Sequence, residues 1–173
     1  MAQSQPYEVI ESLPGGAEIR HYPSHTLISV DVQAGFDIAG NIGFRPLVNY
    51  ISGANQSRTQ IAMTTPVTQA PHPDDVHTIS FVLPEGMTPD DAPLPVDSHV
   101  RVVEKADSLV AALRFRGVWQ ESVATGKAQQ LRDAVSNAGY ETVGEVFFAR
   151  YDPPITPGFL RRNEALVEIA KPQ

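Results

Sequence analysis

Apolar and polar residues alternate most regularly near the N-terminus, where Ile28, Val30 and Val32 interleave with Leu27, Ser29 and Asp31. A period of two puts one set on a buried face, which predicts a long strand from Ala17 to Val32. Pro23 interrupts it and lacks the N–H a ladder needs, so an edge position or a bulge is expected there. A shorter strand, Tyr7 to Leu13, precedes it across the turn Pro14-Gly15-Gly16. The period then lengthens. Phe44, Leu47, Val48 and Ile51 recur at i, i+3, i+4 and i+7, predicting a helix from about Ile38 to Ser52 with Gly53 as its left-handed cap. Pro46 lies inside that pattern, and a start near Gly43 would place it in the first turn. Strands over Gln60–Val67 and His77–Leu83 follow, joined by the Pro/Asp-rich stretch Pro71 to Asp75.

The same order then returns. Strands are predicted over Val100–Glu104, Ser108–Trp119, Glu145–Tyr151 and Asn163–Ile169, with a helix near Ala128–Ala138 capped by Gly139. Between the copies, residues 85–98 carry Pro and Asp without periodicity and read as a linker. Two copies of strand–strand–helix–strand–strand, over about 7–84 and 99–170, predict an α+β fold: a distorted antiparallel sheet or barrel with two helices packed on it. One copy leaves a sheet face uncovered, so residues 1–173 are expected to form a single domain.

Composition narrows the chemistry. With 42% hydrophobic and 19% charged residues among 173, the chain is of ordinary globular type. The absence of cysteine removes thiolate catalysis, Cys-ligated zinc and iron–sulfur clusters. A net charge of −7, with no basic run beyond Arg161-Arg162, argues against nucleic acid as a partner. No apolar stretch is long enough to span a membrane, and the first six residues lack the features of a signal peptide. The expected location is the cytoplasm.

Several segments are similar, in order, to those of the SOUL haem-binding protein family. They are Tyr7-Glu8-Val9-Ile10-Glu11, Ile19-Arg20-His21-Tyr22, Tyr50-Ile51-Ser52-Gly53-Ala54-Asn55, Ile61-Ala62-Met63-Thr64-Thr65-Pro66-Val67, Ser80-Phe81-Val82-Leu83-Pro84, Tyr151-Asp152-Pro153-Pro154 and Arg161-Arg162-Asn163-Glu164. The resemblance runs from about Tyr7 to Ile169. It implies a pseudo-symmetric sheet with two helices, similar also to DNA gyrase inhibitory proteins and some effector domains of transcription regulators. It further implies a haem or other tetrapyrrole ligand, held by a histidine or by an apolar groove.

A haem site calls for a flat apolar slot, a cation for the propionates and, optionally, an imidazole on the iron. His21 falls where the family's reported ligand stands and is the expected axial and metal-binding residue; His25 is the second choice. His72, His77 and His99, in or beside loops, are expected to be solvated. Met63 is expected to fill core rather than bind iron. Phe44, Arg45 and Val48 on the first helix are the expected contacts to the macrocycle and its propionates. Arg161 to Glu164 are expected to pin the preceding loop through an Arg–carboxylate pair. No nucleophile elbow, P-loop or Gly-x-Gly-x-x-Gly is present, so turnover is not the first expectation. The alternative is a cofactor-independent hydrolase of hydrophobic substrates using Glu145, Tyr151 and Tyr50 as acid–base groups. A second alternative is a protein-interaction module whose groove takes a partner helix.

Overall fold

The computed structural model of the chain describes residues 3–153 and 155–171, so Pro154 lies outside the described residues. The chain divides into two compact units that do not follow sequence order. The first holds residues 1–6 and 24–106, the second residues 7–23 and 107–173. The expected α+β class is what both units show, each an antiparallel sheet with one helix.

In the first unit, β4 (His25–Gln33) is flanked by β7 (Val76–Val82) and β8 (Arg101–Lys105), and β6 (Val67–His72) pairs with β7. A short parallel pair, β1 (Gln3–Ser4) with β5 (Thr64–Thr65), completes the set. Helix α1 (Phe36–Ile51) lies on β4 and β7. The alternation of β4 is as expected: Ile28, Val30 and Val32 join Ile79, Phe81, Leu47 and Tyr50 in one core. Ser29 meets Ser80 through a 2.7 Å hydrogen bond on the opposite face.

In the second unit the strand order is β2 (Glu8–Ser12), β3 (Glu18–Tyr22), β9 (Ser108–Arg116), β11 (Arg162–Ala170) and β10 (Glu141–Arg150). Helix α2 (Glu121–Asn137) packs on β9, β10 and β11 with Ala124, Ala128, Leu131 and Val135 buried. Val110, Ala112 and Leu166 share a cluster with Tyr22 and Ala149. Ala111, Leu113, Ala165 and Val167, buried too, point to the other face.

Several boundaries differ from the sequence expectation, each for a local reason. The long strand from Ala17 to Val32 is two strands, because Pro23 ends β3 and the chain passes into the other unit at Ser24. Helix α1 starts at Phe36, two residues before the expected Ile38, and keeps Pro46 in its interior instead of in a first turn beginning near Gly43. Pro46 removes one bond, to the carbonyl of Ile42, a residue on the exposed side of the helix. Helix α2 starts at Glu121, seven residues before Ala128; Val123, Thr125 and Gly126 in its first turns are weak helix formers. The segment predicted as strand Gln60–Val67 is mostly irregular, with Ile61 buried against the core, and the pairing strand β6 lies further on. Strand β10 starts four residues before Glu145 and is bulged between Val143 and Phe147, where Gly144 has φ 81°.

The expected linker is a fixed part of the first unit. Ala92 and Val100 are buried in its core, Gln56 N–H donates to Leu94 O, and Tyr50 Oη donates to Pro93 O at 2.5 Å.

Candidate functional site

Helix α1 brings three of the sequence-selected residues together. Leu47 and Ile51 form the buried stripe, and Phe44 and Val48 flank it. Phe44 is partly exposed and meets the Phe81 ring edge-on at 5.3 Å, while Val48 is half-buried against the core. On the adjoining outer ridge stand Ile38, Ile42 and Arg45, at i, i+4 and i+7, all exposed. The helix thus presents apolar side chains and a cation to solvent, beyond what its own packing requires.

His21 lies on β3 of the other unit, half-exposed, with Nε2 3.3 Å from Asp107 Oδ2. Asp107 is itself 70% exposed, so this is one long polar contact at the surface. His25 stands half-buried on β4. The expectation that His77 is solvated fails. It is buried beside Phe36, with Nδ1 3.2 Å from Gln69 Nε2, because β7 begins at Val76 and turns this side chain toward α1. His72 and His99 are exposed, the latter 3.0 Å from Asp97. Met63 packs on the first unit's core, as expected.

The three acid–base candidates occupy unlike settings. Tyr50 is buried in the first unit with its hydroxyl committed to Pro93 O, and burial raises its pKa. Glu145, in the second unit, has an 84% exposed side chain 3.9 Å from Arg132 Nη2. Tyr151 follows β10 and donates to Glu164 Oε1 at 2.6 Å. Burial, then the Glu164 charge, pushes its pKa well above the usual phenol range. Both tyrosines are therefore protonated donors at neutral pH, with acceptors already in place.

Tyr151 belongs to a buried polar cluster that the spacing of residues along the chain does not announce. Arg20 on β3 and Glu164 on β11 are almost wholly buried and share two hydrogen bonds, at 2.8 and 2.5 Å. Glu18 takes the Arg20 Nε at 2.9 Å, and Tyr22 Oη accepts from Nη1 at 2.9 Å. The Tyr7 ring covers the guanidinium at 4.1 Å, and Arg162 and Arg114 approach Glu164 to 3.6 and 3.7 Å. Burial alone would raise the Glu164 pKa, but the bond and charge of Arg20 outweigh it and the net shift is downward. Tyr22 is pushed up to about 12, chiefly by burial. A carboxylate locked in the ionised form beside a guanidinium is a structural ion pair, not a proton donor poised for turnover.

The expected role of Arg161 to Glu164 is therefore altered. Glu164 is bound to Arg20, and the preceding loop is held by Arg161 Nε donating to Thr156 O at 2.8 Å. The segment Tyr50 to Asn55 is likewise structural. The Asn55 amide donates to Tyr50 O and Thr59 O, both at 2.9 Å, around Gly53 at φ 117°. Among the described residues no group of three His, Asp or Glu could hold a metal ion, and no helix is long and apolar enough to cross a membrane.

Comparison with known proteins identifies the family and the fold. The family described as SOUL heme-binding protein matches residues 2–168, and the chain belongs to that family. It is 30% identical over 166 residues to heme-binding protein 2 of Homo sapiens, covering 91% of this chain and 80% of that protein. It is 34% identical over 117 residues to the Mus musculus heme-binding protein 2, over 57% of the latter's length. The fold is similar to that of the EcmrR C-terminal domain, at TM-score 0.66 and 12% identity over 95% of this chain and 98% of that one. It is also similar to a hydrolase from Listeria innocua, at TM-score 0.62 and 11% identity over 93% and 94% of the two chains.

Proposed function

We propose that the chain binds haem or a related tetrapyrrole, as a carrier, buffer or sensor without turnover, mainly by apolar burial. The observation that carries this reading is the solvent-facing side of α1, where Ile38, Ile42 and Arg45 form one exposed ridge and Phe44 stands exposed on the flank beyond Arg45. Family membership supports the ligand class, and the surface has the required chemistry. A macrocycle face covering a few hundred Å² of apolar surface gains several kcal/mol at about 25 cal/mol/Å². After the cost of association, that supports affinity on the order of micromolar. Arg45 supplies a donor for a propionate. His21, on the other unit, is proposed separately as a residue able to ligate iron, and the apolar reading of α1 does not depend on it.

Titration with haemin and with metal-free porphyrin, followed at the Soret band, tests this. Both are expected to bind on the order of micromolar and within about tenfold of each other. Ile42→Asp, an exposed substitution that leaves the core intact, should weaken both alike; Val48→Asp should do so as well, with a loss of stability because Val48 also packs inward. Failure of both porphyrins to bind below about 100 μM, some 3 kcal/mol short of micromolar affinity, would overturn the reading.

A further inference from the structure

Proline inside a helix deletes a donor, and in α1 it does so beside the ridge that faces solvent. Pro46 carries no N–H, so the carbonyl of Ile42, four residues back, has no helical partner there, and the proline ring crowds it. Ile42 is 50% exposed, and Ile38, one turn before it, 55%. Arg45 and Asn49 continue the same ridge at helical spacing and are exposed as well. Arg45 makes no hydrogen bond or ion pair among the described residues. The ridge therefore offers two apolar side chains, a backbone acceptor relieved of its helical donor, a guanidinium and an amide.

An acceptor in that position distinguishes the forms a tetrapyrrole can take. In a closed porphyrin the pyrrole N–H groups point to the ring centre, and in haem the metal replaces them. The rim that meets a protein surface then carries carbon groups and carboxylates, and no N–H. An open-chain tetrapyrrole keeps the propionates but ends in two lactam rings, each with an N–H and a C=O at the end of the molecule.

We infer that the α1 ridge selects an open-chain tetrapyrrole over a closed macrocycle, with the Ile42 carbonyl as the selecting group. A lactam N–H donates to that carbonyl, the Asn49 amide donates to the lactam oxygen, and Arg45 takes a propionate. A closed ring laid over the same carbonyl removes it from water and gives it no donor, which is unfavourable. The inference rests on the tetrapyrrole reading of this surface and names the member of that class the surface fits.

Titrating the full chain with biliverdin, and with metal-free protoporphyrin as the closed counterpart, tests it through the absorbance of each ligand. Biliverdin should bind about tenfold more tightly, a difference that one or two net hydrogen bonds supply. Pro46→Ala restores an N–H for the Ile42 carbonyl. It should weaken biliverdin about tenfold and leave protoporphyrin within about twofold, with helical circular dichroism retained. Arg45→Gln should weaken both ligands alike, since both carry propionates. Protoporphyrin binding as tightly as biliverdin would overturn the inference and leave the tetrapyrrole reading standing. So would a Pro46→Ala variant that weakens both ligands equally, or one that weakens neither. If biliverdin, protoporphyrin and haemin all fail to bind below about 100 μM, the tetrapyrrole reading itself falls, and this inference with it.

Discussion

Arg20 and Glu164 hold each other where water does not reach, so each depends on the other's charge. Glu164→Gln keeps the shape and leaves the guanidinium without its counter-charge. The expected loss is about 3–5 kcal/mol in urea unfolding. Removing both charges, with Arg20→Met and Glu164→Leu, should cost less than the sum of the two single changes, which a double-mutant cycle measures. The sign of the pH effect follows from the pKa. Glu164 is depressed when folded, so its contribution is present at neutral pH. It is lost as pH falls below the unfolded value of about 4.3 and on through the folded one. Equal acid destabilisation of wild type and Glu164→Gln would refute this assignment. His21 is the opposite case, exposed and held by one long bond to Asp107. His21→Ala should leave stability within about 0.5 kcal/mol while shifting the ferric Soret maximum, if the imidazole ligates iron. Identical spectra would remove the axial role and leave the apolar one.

The elements show what a linear pattern carries and what it omits. Strand β4 was legible because Ile28, Val30 and Val32 alternate against one core, and α1 because Leu47 and Ile51 keep the helical period. The Glu164 cluster was not, since Arg20 lies 144 positions away and only the β3–β9–β11 pairing brings it near. The apolar face of α1 was half legible: Phe44, Arg45 and Val48 stand out in the periodic segment, whereas Ile38 marks only the expected helix start and Ile42 lies outside the periodic set, and both stand in solvent. Glycines make the difference measurable. Gly43 in α1 lies so close to β7 that a Cβ would sit 2.6 Å from Ile79 Cγ1. Gly126 in α2 has open space around the same position. Gly126→Ala should stabilise by roughly 0.5–1 kcal/mol through helix propensity. Gly43→Ala should destabilise by about 1–3 kcal/mol, because the overlap outweighs that gain. Chemical denaturation of the two variants checks both signs, and a stabilised Gly43→Ala would show that α1 is free to move off β7.

At the scale of the whole chain, each unit is completed from the other half of the sequence. The first takes β8 as an edge strand from beyond residues 85–98, and Pro93 holds the Tyr50 hydroxyl at the end of α1. The second takes β2 and β3 from the N-terminal segment, and with β3 it takes Arg20. We propose on this ground that residues 1–173 fold as one domain, and the prediction is sharpest for a chain divided between Pro89 and Asp97. The N-terminal piece then carries β2 and β3 without β9 to pair with, and β4 without β8. The C-terminal piece carries Glu164 with its principal counter-charge deleted, a defect of about 3–5 kcal/mol, against a total stability of about 5–15 kcal/mol for an ordinary domain. Neither piece should show a cooperative unfolding transition alone. Co-expressed, the two should associate and recover one, because every ladder and the Arg20–Glu164 pair are restored. Circular dichroism of each piece and of the mixture reads the outcome. A soluble, monomeric N-terminal piece with its own unfolding transition would show that β8 and the Pro93 anchor are dispensable, and the interleaving would then carry no share of the stability.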